Sequence, residues 1–288
     1  MRLLAVPNWS FGRDKSLLRA FRDVLEELPL DIHFLASDID HNRTVSAFSG
    51  DAEFVSRAIL ELMDQVRDRI DLNRHVGVHP RIGALDVCPI VTPWGAEDEA
   101  EVNRMVEDLG AKLAELNDLP VFLYEKSERG KHSKALPKLR RKGFGGLLGQ
   151  ELDSDFGPYQ MHPQLGATVL GWRDFLIALN VNLNEPAAST SKAVASRIRE
   201  ERRNGNEVLN GVRALGFPLV AQELSQVSMN LTAPDHTHID TVVDWVTKEA
   251  GRYGTPVAGT ELIGVIRDRD LEFATAIEFK PEQVIETI

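Results

Sequence analysis

Apolar residues recur along this chain with two different periods. Residues 3–6 form a short apolar run of strand type, and beyond the turn at Gly12 a stripe at Leu17, Leu18, Phe21, Val24, Leu25 and Leu28 has helical spacing. Pro29 ends that helix. Two β-rich runs follow, 32–39 and 44–48, and then a second helix beginning at Gly50 and Asp51, with Phe54, Val55, Ala58, Ile59, Leu62 and Val66 on one face. The order to this point is βαββα. After a polar loop over 73–83, residues 84–91 read as a strand, 96–116 as a helix striped by Val102, Met105, Val106, Leu109 and Leu113, and 120–124 as another strand.

Residues 125–163 lose periodicity and gather glycine and charge, so they are expected to form a connecting region rather than core. A similar order then recurs: strand 175–183, helix 191–201, strands 211–220 and 226–231, helix 237–253. Every striped helix needs a sheet to cover it. The expected fold is therefore α/β (α+β), two similar sandwiches over residues 1–165 and 166–288, each a mixed or antiparallel sheet with helices on one face. A ligand groove between them is the expected binding place.

Composition narrows the chemistry. The 288 residues are 43% hydrophobic and 27% charged, as in ordinary globular proteins. A single cysteine, Cys88, allows neither an intramolecular disulfide nor a cysteine-based zinc site, which fits a reducing, cytoplasmic setting. The first apolar run is too short for a signal peptide core or a membrane span, so no membrane partner is expected. A net charge of -11 opposes a nucleic-acid surface. One stretch runs against that balance: Lys131, Lys134, Lys138, Arg140, Arg141 and Lys142 form a basic strip, either a solvated helix face or a landing strip for a polyanionic ligand.

Among eight histidines, His75 and His79 stand out because Gly77, Pro80 and Gly83 shape the loop that holds them just before a buried strand. The same glycine and proline argue against a helix that would place both rings on one metal, so no metal site is expected. Asp38, Asp40 and His41 cluster between two strands, where the choice is between turn chemistry and a carboxylate that orients an imidazole. The glycines at 143–149 match no phosphate-binding loop, and the DFG at 155–157 lacks every other kinase element.

Read together, VPNWSFGR (6–13), DIDHNRTVSAFSG (38–50), HPRIGALDVCP (79–89), LPVFLYE (119–125), SDFGPYQMHPQLGATVLGWRDFLIALNVNL (154–183), LSQVSMNLT (224–232) and GTELIGVI (259–266) resemble the glutamate formimidoyltransferase family. The blocks span nearly the whole chain in order. The resemblance implies a homodimeric transferase that binds tetrahydrofolate as co-substrate and moves a formimino group from N-formimino-L-glutamate to its N5, in histidine catabolism. It places the family's catalytic histidine on His79 and its active-site aspartate on Asp40. It places the folate-binding segment on Gly157, Pro158, Tyr159, Gln160, Met161, His162, Pro163, Gln164, Leu165 and Gly166. Phe11 and Val78 stand where the family usually has glutamate. Their loss leaves two alternatives open: formyl transfer involving 5-formyl-tetrahydrofolate, or a folate-binding paralogue without catalysis. The chain ends soon after GTELIGVI, which leads to the expectation of a single-activity form or a divergent paralogue.

Overall fold

The computed structural model describes residues 1–287. It divides into two compact units, Met1–Asp174 and Phe175–Ile288.

In chain order the first unit contains β1 (Arg2–Ala5), β2 (Asn8–Trp9), α1 (Lys15–Glu26), β3 (Asp31–Asp38), β4 (Arg43–Asp51), α2 (Ala52–Arg67), β5 (Leu85–Val91), α3 (Glu99–Asn117), β6 (Val121–Leu123), α4 (Leu136–Leu139), α5 (Gly143–Leu147) and β7 (Thr168–Trp172). Its seven-stranded sheet is mixed: β3, β4, β1, β2 and β5 pair antiparallel, whereas β7 lies parallel between β5 and β6. Parallel neighbours need a crossover, and α3 supplies one between β5 and β6. The apolar stripes read from the sequence do the packing. Leu17, Phe21 and Leu25 of α1, Val55, Ile59 and Leu62 of α2 and Val102, Val106 and Leu109 of α3 join Leu3, Trp9, Phe48, Cys88 and Leu170 of the sheet in one core. Asp14 caps α1, its carboxylate accepting the N–H groups of Ser16 and Leu17 at 2.9 Å.

The stretch expected to be a mere connector has a core of its own. Leu152 and Met161 are buried against Ile82, Val87, Phe122, Tyr124 and Val169 on the other face of the sheet, with Leu136, Leu139, Phe144 and Leu147 packed around them. These anchors follow no helical or strand period because the backbone between them turns repeatedly, so pattern analysis has nothing to detect. The strand Thr168–Trp172 escapes notice for a related reason: buried on both faces, it does not alternate. It carries the first sheet past residue 165, and the first unit runs on along the chain to Asp174.

The second unit runs β8 (Ile177–Leu183), α6 (Ser189–Arg203), β9 (Val212–Leu219), β10 (Leu224–Leu231), α7 (Ile239–Arg252), β11 (Val257–Ile263), β12 (Ile266–Arg267) and β13 (Val284–Ile285). β11, β8, β10 and β9 form an antiparallel four-stranded sheet in that order. Ile177, Leu179 and Val181 of β8 and Val227 and Met229 of β10 face Val194 and Ile198 of α6 and Val242 and Val246 of α7. Both units are sheets with their long helices on one face. No described helix is long and apolar enough to cross a membrane.

Candidate active site

The sharpest clustering of polar side chains in the first unit lies where the β3–β4 turn meets the loop before β5. Asn42 is the pivot of the turn. It takes a left-handed backbone (φ 46°), its Oδ1 accepts Gly12 N–H at 2.8 Å, and its Nδ2 donates to Val76 O at 3.1 Å. The backbones approach so closely that a Cβ on Gly77 would lie 2.3 Å from His41 O. Val78 N–H donates to Asp40 O at 3.2 Å, which fastens the residue before His79 to the residue before His41.

Arg81 clamps this junction from within. Its Nη2 donates to the carbonyls of His41 and His79, both at 2.8 Å, and its Nη1 donates to Asn42 O at 3.1 Å and to His75 Nδ1 at 2.8 Å. His75 Nε2 lies 2.9 Å from Asn42 O and also against Arg81 Nη1. Burial, then the neighbouring Arg81 charge, lowers its pKa to about 4, so it is a neutral structural strut.

His79 emerges from this frame half-buried, its ring 5.8 Å from that of His41. Arg43 Nη1 stands 2.9 Å from His79 Nε2. A guanidinium has donors and no acceptor, so Nε2 must accept, and the ring is neutral with its proton on Nδ1. The electrostatics agree. Burial, followed by the charges of Arg43 and Arg140, holds the His79 pKa well below the ordinary imidazole value. Burial and Arg140 also bring Arg43 down to about 10, which leaves it charged at neutral pH.

Behind this cluster Asp86, almost fully buried, accepts the N–H of Ile82 at 2.7 Å and pairs with Arg140 Nη2 at 2.5 Å. Arg140 therefore leaves the basic strip and turns inward. Two neighbours in the same stretch are tied to the first unit as well, although Lys131 stays exposed. Lys131 Nζ donates to Ser154 O, and His132 Nε2 lies 2.7 Å from Asp155 Oδ2. Only Lys134, Lys138, Arg141 and Lys142 join Lys131 in keeping an exposed surface.

The His132–Asp155 pair sets a pH signature. Burial favours neutral His132, but its hydrogen bonds to Asp155 and to Ser133 O, and the Asp155 charge, outweigh it and raise the pKa above 6.5. A raised folded pKa adds stability that is complete below the unfolded value of ~6.5 and disappears as pH climbs through the folded value. The stability difference between the natural chain and His132→Gln should therefore be largest near pH ~6 and shrink toward pH ~9 in urea titrations. A difference constant over that range would refute the pairing.

The segment 157–166 docks on the loop that carries His79. Pro163 O accepts Asn73 Nδ2 at 2.8 Å, Gln164 O accepts Leu72 N–H at 2.9 Å, and Leu165 O accepts Ala84 N–H at 2.8 Å. Gly157 and Gly166 are left-handed (φ 77° and 76°), and a Cβ on Gly166 would sit 2.0 Å from Ile82 O. His162 closes the turn by accepting the N–H groups of Gln164 and Leu165 on Nδ1, at 3.2 and 2.9 Å. Met161 and Leu165 are core side chains. What the segment presents outward is Pro158, Tyr159, Gln160, Pro163 and Gln164, with Tyr159 61% exposed.

Residues 2–173 match the family model for the formiminotransferase domain, N-terminal subdomain, and residues 178–283 that for the formiminotransferase domain. The chain belongs to the formiminotransferase family. It is 35% identical to the formimidoyltransferase-cyclodeaminase of Sus scrofa, covering 97% of this chain and 52% of that protein. It is 34% identical to the glutamate formimidoyltransferase of Thermoplasma acidophilum, over 92% of this chain and 88% of the relative. With that of Streptococcus pyogenes it shares 30% identity over 90% and 87%. The chain spans about half the length of the bifunctional relatives.

Within this formiminotransferase framework, His79 and Asp40 share one junction, and segment 157–166 adjoins the same loop. Arg43 and Arg140 carry no local sign that they turn inward, since an arginine beginning a strand or inside a basic run looks like solvated charge. Phe11 is 5% exposed and packs edge-on against Phe21 at 4.9 Å. Its side chain belongs to the helix-side core, so a glutamate there is no simple restoration. Phe11→Glu should destabilise the fold by about 3 kcal/mol or more, because it would bury an unpaired carboxylate and open the aromatic contact. Thermal unfolding checks this, and an unchanged melting temperature would refute it.

Proposed function

We propose that this chain transfers the formimino group of N-formimino-L-glutamate to N5 of tetrahydrofolate and releases glutamate, as a cytoplasmic homodimer acting in histidine breakdown. The names of the relatives from Thermoplasma acidophilum and Streptococcus pyogenes support the reaction class. The observation that carries the assignment to a residue is His79, a neutral imidazole with a basic nitrogen at Nε2, held in a glycine-shaped loop against Arg43.

The chemistry follows from the proton count. N5 attacks the formimino carbon and must lose a proton. The bond from that carbon to the glutamate nitrogen then breaks, and the departing nitrogen must gain one. A neutral imidazole serves both steps: Nε2 takes the proton from N5 and returns it to the leaving nitrogen. In this reading Arg43 yields its hydrogen bond to an arriving anionic group, which frees the Nε2 lone pair. Asp40 steadies the transient imidazolium, and segment 157–166 holds the folate so that attack is intramolecular in effect.

A second reading draws on the charges around His79. After burial, the neighbours that lower its pKa are Arg43, Arg140, His41 and Arg81. Such surroundings favour a neutral formyl donor over a cationic amidine. The deciding experiment is glutamate release from N-formimino-L-glutamate with and without tetrahydrofolate, run beside exchange between 5-formyl-tetrahydrofolate and glutamate. Folate-dependent release supports formimino transfer. Exchange alone transfers the assignment to formyl chemistry, and tight folate binding with neither reaction makes the chain a binding paralogue.

A further inference from the structure

The second unit carries a polar constellation that the proton chemistry at His79 does not use. Strand alternation sends Ile177, Leu179 and Val181 of β8, and Val227 and Met229 of β10, toward the helices. It sends Asn180, Asn182 and Gln226 to the opposite face, where β11 contributes Glu261. Asn180 Nδ2 donates to Glu261 Oε2 at 3.2 Å and Asn182 Nδ2 donates to Glu261 Oε1 at 3.3 Å. Gln226 Nε2 donates to Asn182 Oδ1 at 2.9 Å.

Three features of this group go beyond what a sheet needs. Asn180, Asn182 and Gln226 are 4%, 7% and 1% exposed, and buried amides are costly unless hydrogen-bonded, so their bonds hold this network in one arrangement. Their donors all point the same way, from Gln226 through Asn182 and from Asn180 onto one carboxylate, which fixes both of its oxygens in place. Among the described residues no lysine or arginine forms an ion pair with Glu261, and its side chain is only half-buried. A carboxylate offers about four lone-pair directions, and the two amides take one on each oxygen. Each oxygen keeps capacity for a further donor, and two parallel N–H donors from a planar N–C–N group need one acceptor on each oxygen.

We propose that Glu261, aimed by Asn180 and Asn182, binds the N–C–N edge of an amidine-bearing ligand. Which ligand brings that edge rests on the formimino-transfer reading. Two sources share the chemistry: the aminopyrimidinone ring of reduced folate and the formimino group of the donor. Gln226 acts one step back, as a positioning residue for Asn182.

The test is calorimetric titration of the natural chain and Glu261→Gln with tetrahydrofolate, with N-formimino-L-glutamate and with isocytosine, which carries the aminopyrimidinone edge alone. A charge-assisted bidentate contact predicts a loss of at least about tenfold in affinity. Loss confined to tetrahydrofolate and isocytosine assigns the edge to the folate ring, and loss confined to N-formimino-L-glutamate assigns it to the donor. Equal affinities of both proteins for all three probes overturn the site. A natural chain that binds neither substrate overturns the transfer reading instead. The site is then judged on isocytosine, where no loss in the variant overturns it too. Should Glu261→Gln fail to fold, Glu261→Asp keeps the charge and draws the carboxylate back, and unchanged affinities in that variant are equally fatal.

Discussion

Replacing His79 with alanine is expected to lower kcat for folate-dependent glutamate release by about 10²–10⁴-fold while leaving tetrahydrofolate affinity within a few-fold, the range for removal of a positioned acid–base group. The argument is geometric first. His79 sits on a loop fixed by the Gly77 approach and by three backbone carbonyls bound to Arg81, so the imidazole is placed before any ligand arrives. It is also neutral, because burial and then the Arg43 and Arg140 charges favour the unprotonated form. Lowered imidazole pKa carries a pH consequence for the free enzyme: kcat/KM should remain flat as pH falls through ~6.5 and decline only well below it. Arg43→Met removes one charge and the Nε2 hydrogen bond, and should move that acid limb upward. A kcat within a few-fold of the natural value in His79→Ala would remove His79 from the reaction, and an acid limb unmoved in Arg43→Met would mean that Arg43 does not hold the ring neutral.

Asp86→Ala is expected to cost about 3–5 kcal/mol of stability, the range for stripping one partner from a buried ion pair. Asp86 and Arg140 have side chains only 4% and 11% exposed, and Asp86 also accepts the Ile82 N–H that sets the loop before β5. Removing the carboxylate leaves a guanidinium in low-dielectric surroundings beside Arg43 and Arg81, both of which already feel its charge. For a unit of this size the loss corresponds to roughly 10 °C in melting temperature. The double variant Asp86→Ala with Arg140→Met should recover much of it, because no charge is then stranded. If the double variant melts no higher than Asp86→Ala alone, the pair is not what supports the loop. This placement also changes the meaning of Arg140→Ala as a probe of the basic strip. A weaker hold on polyanionic folates in that variant would report lost structure beside His79, so Arg141 and Lys138, which face water, are the positions that test the strip.

Much of the fold was legible along the chain. The α1, α2 and α3 stripes are apolar at helical spacing, and each meets the sheet with the residues that the spacing picked out. The βαββα order of the first unit follows from those stripes and from punctuation at Gly12, Pro29 and Gly50. Family membership was legible as well, because blocks such as HPRIGALDVCP keep residue identity and not only pattern. His79 stood out for a local reason, since Gly77, Pro80 and Gly83 restrict the backbone around it.

Only the tertiary structure decided which charges belong to His79. Arg43 comes from the start of β4 and Arg140 from a stretch that reads as solvated lysine and arginine, and nothing in local spacing says that these two point inward. Ionic contacts between residues far apart in sequence depend on where strands pair and loops close, which period and composition do not encode. The same holds for Phe11: one residue in NWSFGR, a site position by resemblance, whose ring the packing of α1 claims for the core. The sequence by itself determined the layers, the family and the candidate histidine. The pairing of strands determined the electrostatic field around that histidine, because field strength depends on distance and burial, and both exist only once the chain has folded.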